Sequence, residues 1–188
     1  VDIYLGIQEN LDAMTRGVEQ MQRTCDAYMQ QLLSTVPKTA ISTYIEQTDV
    51  RNSDLAFDID NVRGITTQRE FIPTKANMNG VSLHNYKIVK PQSFAYVSDT
   101  SRRGDKISLA YNGSDDTYLV SSITTIFEMK PDSALLPDYL FMYLRKPEFD
   151  RYARYNSWGS ARETITWEDF GRYEIPVPPV DVQQDIVN

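Results

Sequence analysis

The side chains most able to form a catalytic site are Asp116, Glu128 and Lys130. Their order along a β-prone run is that of a metal-dependent nuclease, in which carboxylates bind the metal and a lysine assists the nucleophile. The same spacing often arises by chance, and Lys130-Pro131-Asp132 is equally typical of a strand that ends in a turn. A metal-dependent nuclease is therefore one alternative, and our main interpretation assigns no catalytic residue and no metal.

Other catalytic patterns are absent from the sequence. There is no glycine-rich phosphate loop, no dinucleotide fingerprint, no HExxH helix, and no Asn-Pro-Pro or Asp-Pro-Pro loop of the methyltransferase type. The only histidine, His84, cannot supply a zinc site, and the only cysteine, Cys25, lies in a helical pattern where it is expected to pack as a small apolar residue. We expect a chain that is not an enzyme and holds no cofactor.

A cation-rich turn over residues 99–106 indicates binding instead of catalysis. It combines hydroxyls with Arg102, Arg103 and Lys106 between two β-prone runs. Arginine can pair with the edge of guanine through two hydrogen bonds, and hydroxyl and ammonium groups can hold phosphates. We expect Arg102 and Arg103 to contact base edges and Ser101 and Lys106 to contact phosphates. A solvated hairpin loop would have the same composition.

A second candidate segment, residues 148–163, interleaves arginines, aromatics and small residues, which suits a sugar–phosphate backbone. We expect Arg162 to contact base edges and Ser160 to contact phosphate, on the same side of the protein as the first turn. In the plainer interpretation, Tyr152 or Trp158 anchors the loop to the core.

The distribution of charge permits DNA binding although the net charge is −7. Residues 1–59 carry 4 basic and 9 acidic side chains, whereas residues 60–178 carry 15 of each. Within the neutral part, residues 87–106 and residues 145–162 each hold five basic and two acidic side chains. Cations are thus concentrated around both candidate segments, as contacts with phosphates require.

The first 35 residues predict a long helix with one apolar stripe. Apolar side chains recur at alternating spacings of three and four, which is a heptad pattern and requires a partner helix. The stripe begins at Tyr4, and the residues we expect to pack are Ile7, Leu11, Met14, Val18, Met21, Cys25, Tyr28 and Leu32. Pro37 ends the pattern, so the helix is roughly 50 Å long at 1.5 Å per residue. A core helix of a globular bundle is the alternative.

The remainder predicts an α+β fold with many short strands. Five β-prone runs are separated by turn residues: 42–45, 86–89, 94–97, 106–111 and 118–127. Helices are expected over residues 137–155, interrupted at Pro147, and again after Pro178-Pro179, where Asp181 and Gln184 have the spacing of a capping box. We therefore predict three parts: a spacer helix over 1–37, a β-rich domain with a few short helices over 38–178, and the start of a second helix over 179–188.

In several segments the chain resembles the specificity subunits (HsdS) of type I restriction-modification systems. The resemblance covers nearly the whole chain and is carried by Asn61-Val62-Arg63-Gly64-Ile65, Phe94-Ala95-Tyr96 with Thr100 to Ile107, Leu136-Pro137-Asp138-Tyr139-Leu140, Trp158 to Glu163, and Ile175-Pro176-Val177-Pro178-Pro179 with Gln183-Gln184. A complete member has two target-recognition domains and two antiparallel helices. This chain has one copy of each, so it is expected to be a fragment or a half-size subunit.

The resemblance implies a role in sequence-specific recognition of double-stranded DNA. In that family each recognition domain reads half of a bipartite site, and the helices set the gap between the halves. The implied partners are methylation and restriction subunits, which would carry S-adenosylmethionine and ATP with magnesium, and a second recognition half or a second copy paired through the helix. The sequence has no membrane span, and the expected location is the cytoplasm. A coiled-coil protein-interaction module without DNA binding is the alternative.

Overall fold

The computed structural model describes residues 2–101 and 106–188. The chain divides into two compact units, Val1–Pro37 and Lys38–Asn188. Within the described ranges, no helix is both long enough and apolar enough to cross a membrane.

The first unit is a single helix, α1 (Asp2–Leu33). It ends in a turn closed by hydrogen bonds from Ser34 N–H to the Gln31 carbonyl and from Val36 N–H to the Leu33 carbonyl, directly before Pro37. The long N-terminal helix is confirmed. The eight side chains that we expect to pack are all exposed, with Leu11 and Val18 each 53% accessible. Helix α1 therefore presents an uncovered apolar stripe along its length.

In the described part of the second unit, the chain forms twelve short strands and four helices. The strands are β1 (Lys38–Ala40), β2 (Ile45–Thr48), β3 (Arg63–Ile65), β4 (Phe71–Pro73), β5 (Lys87–Val89), β6 (Phe94–Val97), β7 (Ser108–Tyr111), β8 (Tyr118–Val120), β9 (Thr125–Met129), β10 (Ser157–Trp158), β11 (Thr164–Ile165) and β12 (Glu174–Pro176). The helices are α2 (Pro137–Leu144), α3 (Pro147–Tyr155), α4 (Trp167–Gly171) and α5 (Val180–Val187). The predicted α+β fold is confirmed.

The central element is an antiparallel sheet in the order β2-β9-β6-β7. Along β6, Phe94 and Tyr96 join the larger core cluster, whereas Ala95 between them joins a smaller one with Val89 of β5 and Val120 of β8. Because successive side chains of a strand point to opposite faces, these two clusters bury both faces of the sheet at β6.

Aromatic stacking holds the larger core together. The ring of Phe94 stacks on that of Phe127 at 4.7 Å, and the ring of Tyr96 stacks on that of Phe170 in α4 at 4.4 Å. Phe149 of α3 meets Phe170 edge-on at 5.4 Å. These contacts fix α3 and α4 against the sheet, and the chain that carries residues 157–165 runs between these two helices.

The structure corrects three local predictions. Residues Ile41–Thr43 form a 3-10 turn, so the expected strand over 42–45 begins only at Ile45. The run 118–127 is two strands, β8 and β9, because a turn at residues 121–124 interrupts it. Pro179 is the N-cap residue of helix α5, and its side chain makes no capping hydrogen bond. Asp181 therefore lies in the first turn of the helix and is not the N-cap residue of a capping box.

Candidate nucleic-acid interface

A backbone pairing joins the two segments that were singled out for DNA contacts. Asp99 pairs with Thr164 in an antiparallel bridge, and Thr100 N–H donates to the Glu163 carbonyl at 3.0 Å. On the other side of the bridge, Ile165 N–H donates to the Ser98 carbonyl at 3.0 Å. Because the pairing is antiparallel, Ser101 and the residues that precede Glu163 lie at the same end of it.

The second segment forms a tight hairpin between β10 and β11. Ser157 faces Ile165 and Trp158 faces Thr164, and residues 159–163 close the loop. Gly159 has a φ of 139°, and a Cβ on it would overlap with the carbonyl oxygen of Arg162. Only glycine fits this position without displacing the backbone. The loop consequently presents Ser160 and Arg162, both exposed, next to the first turn.

Ser101 and Glu163 reinforce the pairing with their polar groups. The Ser101 hydroxyl accepts from Glu163 N–H and donates to the Asp99 carboxylate, both at 3.4 Å. The Glu163 carboxylate forms an ion pair with Arg154 of α3 at 2.6 Å. Ser101 thus connects Asp99 to the backbone of Glu163, and its expected phosphate contact stays a prediction. Arg102 and Arg103 lie outside the described residues.

A buried ion pair contacts the backbone of Ile107, the residue that follows Lys106. Lys106 is exposed, but Ile107 after it is buried, and its N–H donates to the Asp150 carboxylate at 3.1 Å. The same carboxylate oxygen accepts from Arg69 Nη2 at 2.6 Å, and Arg69 Nη1 donates to the Ile107 carbonyl. Arg69 lies in the turn between β3 and β4 with a φ of 71°.

The guanidinium of Arg69 remains charged although it is only 5% exposed. Burial lowers its pKa from the usual value, and the Asp150 carboxylate opposes that shift. Sequence reasoning missed this pair, because the two residues are 81 positions apart and neither belongs to a recognisable motif.

Two aromatic side chains near the hairpin are open to solvent. Trp158 is 70% exposed and Tyr155, at the end of α3, is 80% exposed. The anchoring role belongs to Tyr152, whose hydroxyl donates to the Asp169 carbonyl at 2.7 Å. Exposed aromatic rings beside cations supply flat surfaces on which a base or a sugar can rest.

Two of the three nuclease candidates, Lys130 and Glu128, face other groups in the structure. The Lys130 ammonium donates to the carbonyls of Ser42 and Thr43, at 2.8 and 3.0 Å. Glu128 faces Glu46 across β2 and β9. Among the residues that the structure describes, no group of three or more histidine, cysteine, aspartate or glutamate side chains could hold a metal ion.

Comparison with known proteins gives structural likeness only. No protein-family model and no curated protein matches the chain. The structure is similar to the crystal structure of the HsdS subunit from Thermoanaerobacter tengcongensis, with 14% identity and a TM-score of 0.51 over 97% of this chain and 46% of that one. This chain thus spans about half the length of the structure it matches.

Two further structures align with lower scores. One describes complex assembly and conformational transition of a type I restriction-modification system, with 13% identity, a TM-score of 0.48, and coverage of 97% of this chain and 47% of that one. The other is the type I restriction-modification S subunit from M. genitalium, with 12% identity, a TM-score of 0.49, and coverage of 82% and 38%. The resemblance seen in the sequence motifs is confirmed at the level of the fold by the HsdS subunit from Thermoanaerobacter tengcongensis.

Proposed function

We propose that the chain is the whole or a part of a specificity subunit of a type I restriction-modification complex and reads one half of a bipartite site in double-stranded DNA. One observation carries the proposal. The pairing of residues 98–100 with residues 163–165 places Ser101 beside the loop that presents Ser160 and Arg162, in a domain that has the specificity-subunit fold.

The roles of the side chains follow from their chemistry. Arg162, together with Arg102 and Arg103, pairs with base edges in the major groove, since a guanidinium can donate two parallel hydrogen bonds to guanine. Lys106, Ser160 and Ser101 contact phosphates, which set the register of the protein on the duplex without reading sequence. The exposed rings of Trp158 and Tyr155 pack against the sugar–phosphate backbone beside the hairpin.

The uncovered stripe of α1 is the second half of the proposal. Its apolar side chains stay exposed in the single chain, and burial of such a surface against another helix is favourable by roughly 25 cal/mol per Å². The partner helix comes from a second recognition half or from a second copy of this chain, and the paired helices fix the distance between half-sites.

Catalysis belongs to other subunits in this proposal. The methylation subunits use S-adenosylmethionine, the restriction subunits use ATP and magnesium, and this chain is a non-catalytic protein of the cytoplasm that positions them on the DNA.

The test is to read the methylation pattern that the chain specifies. The full chain is co-expressed with its methylation subunit in a host without adenine methyltransferases, and the modified adenines are mapped by sequencing. We expect a bipartite motif, and exchange of the second unit for that of another specificity protein should change the half-site that this unit reads. An unchanged motif after the exchange would disprove the assignment.

A protein-interaction module is the second candidate, and the exposed stripe of α1 favours it to the same extent. Titration of the assembled complex with a degenerate duplex library at two salt concentrations separates the two. DNA recognition predicts affinity that falls steeply with salt, because phosphate contacts release counterions. Binding that is absent or insensitive to salt would favour the interaction module.

A further inference from the structure

Two turns of the second unit share a sequence pattern and a backbone conformation. Lys90-Pro91-Gln92-Ser93 joins β5 to β6, and Lys130-Pro131-Asp132-Ser133 follows β9. In each turn the serine N–H donates to the lysine carbonyl, at 3.2 and 3.1 Å respectively. The third residue is left-handed in both, with a φ of 62° at Gln92 and 58° at Asp132. Proline before a residue of positive φ is typical of a type II turn, in which glycine or asparagine usually takes the third position.

The third residues of both turns line one cleft. The cleft has a volume of about 350 Å³, and its walls also include Glu128 and Met129 of β9 and residues 135–137. Gln92 and Asp132 are exposed, so the cleft opens to solvent beside them. Glycine would adopt these φ values more easily but would leave no side chain in the wall. The two turns thus keep polar side chains at the cleft in a conformation that favours glycine.

The negative charges of the cleft are not balanced within the chain. Glu128 and Asp132 each contribute a carboxylate, and Glu46 lies directly opposite Glu128 across β2 and β9. Lys130 also lines the cleft, but its ammonium donates to two carbonyls of the 3-10 turn at Ile41–Thr43. Among the residues that the structure describes, no ion pair joins any of the three carboxylates to a cation. Like charges at opposite positions of two strands repel each other, so a cation bound beside them would relieve the repulsion.

The apolar wall of the cleft is fixed by hydrogen bonds and by the core. Leu136 N–H donates to the Gln183 side chain at 2.8 Å, and Leu135 N–H donates to the Ser133 hydroxyl at 3.1 Å. Met129 and Leu136 pack against the larger core cluster. A preformed cleft with apolar walls and a few placed polar groups is the usual form of a binding site.

We propose that this cleft binds an arginine side chain of the methylation subunit, with the guanidinium held by the carboxylates of Glu128 and Asp132. This inference rests on the function proposed above, because it names the surface through which the second unit holds that subunit. Arginine fits both parts of the lining. Its flat guanidinium pairs with carboxylates through parallel hydrogen bonds, and its aliphatic stem can lie along Met129 and Leu136.

The charge of this surface favours a protein partner with a basic face. Carboxylates repel the phosphates of DNA, so the cleft does not suit the duplex. A second copy of the chain is a poor occupant as well, because each copy carries a net charge of −7 and the two would repel each other. The methylation subunit is a partner that the proposed function already requires, and an arginine on its surface would be complementary to the cleft.

The experiment measures binding of the full chain to the methylation subunit by calorimetry at low and high salt, and the melting temperature of the free chain. We expect Glu128→Gln with Asp132→Asn to weaken binding about tenfold at low salt, the scale of one lost ion pair at an interface. The difference from the wild-type protein should shrink as salt screens the charges. The melting temperature should stay the same or rise, because the repulsion between Glu128 and Glu46 is removed, whereas a structural role would lower it.

The substitution Asp132→Gly separates the backbone of the turn from its side chain. Glycine accepts the left-handed φ, so we expect the melting temperature not to fall while the affinity for the methylation subunit does. Leu55→Gly is the matched control, since Leu55 has a φ of 54° and is 59% exposed but does not line the cleft. This variant should keep the wild-type affinity.

A second control removes equal charge outside the cleft. Asp54→Asn with Asp115→Asn neutralises two exposed carboxylates, and we expect wild-type affinity. If this control weakens binding as much as the cleft variant does, the effect belongs to overall charge and the cleft assignment is overturned.

The remaining outcomes separate the cleft from the proposed function. Cleft variants that bind the methylation subunit as tightly as the wild-type protein would overturn the assignment. It would equally be overturned if they lost self-association of the chain instead, since a second copy would then be the occupant. A wild-type complex that assembles through the cleft but methylates no bipartite motif would contradict the proposed function and support the cleft assignment.

Discussion

The N–H of Thr100 and the carbonyl of Glu163 form a 3.0 Å hydrogen bond across 63 residues of sequence. This bond and the adjoining Asp99–Thr164 bridge bring residues 99–101 beside the β10–β11 loop, although the two segments were identified separately by their composition. The predictions that follow test this arrangement, the parts that support it, and the uncovered helix.

Replacement of Gly159 should disturb the hairpin. Gly159→Ala introduces a Cβ that overlaps with the Arg162 carbonyl and forces an unfavourable φ, at a cost of about 1 to 3 kcal/mol. We expect weaker binding to the target duplex and a lower melting temperature. Gly64→Ala is the control, since its Cβ would lie 3.6 Å from Ile72 in ordinary contact. Equal binding by both variants would contradict the need for this loop geometry.

Arg162 and Lys106 should affect DNA binding differently. We expect Arg162→Ala to cost about 1 to 3 kcal/mol on the target duplex and to relax one position of the methylated motif, because a base contact is lost. Lys106→Ala should weaken all duplexes alike and reduce the slope of log affinity against log salt by about 1. Anisotropy titrations at several salt concentrations measure both effects. A uniform loss for Arg162→Ala would reassign it to phosphate.

The stripe of α1 should drive association. The double substitution Leu11→Glu with Val18→Glu places two charges in the stripe. We expect the helix to lose its pairing with the partner helix and the helical signal in circular dichroism to fall. Ala13→Glu with Gln20→Glu has the same seven-residue spacing away from the stripe and serves as the control. Light scattering of the assembled sample gives the mass of each complex. Unchanged mass for the stripe variant would mean that this surface does not pair.

How far the sequence alone predicts this structure depends on the range of the interactions. Helix α1, strand β6 and the break between α2 and α3 at Pro147 follow from periodicity and backbone chemistry within a short window. The 3-10 turn at Ile41–Thr43 does not follow from such a window. The residues there favour a strand, but the Ile41 N–H donates a hydrogen bond to the carbonyl of the distant Tyr173, and this contact overrides the local preference.

In the candidate site too, residues recognisable from local sequence differ from residues whose role depends on long-range contacts. Arg162 and Ser160 were found from local composition, and the structure places their loop beside residues 99–101. Arg69 and Asp150 were not found, because their significance arises only when residues 81 positions apart are in contact. Gly159 lies in the segment Trp158 to Glu163, which carries part of the family resemblance, but its positive φ becomes apparent only in the hairpin.

Gln183 should be the most sensitive polar residue near α5. Its side chain is fully buried and accepts from Leu136 N–H at 2.8 Å while donating to the carbonyls of Ala134 and Pro178 at 2.7 Å. Gln183→Leu leaves these groups without partners, and we expect the free energy of unfolding to fall by about 2 to 4 kcal/mol.

The control for Gln183 is its exposed neighbour. Gln184→Leu should change the free energy of unfolding by less than about 0.5 kcal/mol. Urea unfolding followed by fluorescence measures both variants. Similar losses for the two would show that the three hydrogen bonds of Gln183 contribute little.

Tyr173 should make the fold sensitive to alkali. Burial, assisted by the Glu148 carboxylate, raises the pKa of Tyr173 to about 12, compared with about 10 in an unfolded chain. The folded state therefore favours the neutral phenol, and this contribution is complete below about pH 10 and is lost as the pH rises toward 12. Urea unfolding between pH 9 and 11 should show a shallower decline for Tyr173→Phe, with Tyr155→Phe as the control. If the free energy of unfolding of Tyr173→Phe fell with pH as steeply as that of the wild-type protein, the contribution assigned to Tyr173 would be refuted.

The three hydrogen bonds of the Gln183 side chain also limit where the genes of two proteins with this fold can recombine. Because its amide binds residues 134, 136 and 178, a crossover between Pro178 and Val180 gives a hybrid whose α5 comes from one parent and whose anchoring carbonyls come from the other. Such a hybrid keeps these three hydrogen bonds only if the parent that supplies α5 also has glutamine at this position. Inheritance of α5 together with the rest of its unit avoids that requirement.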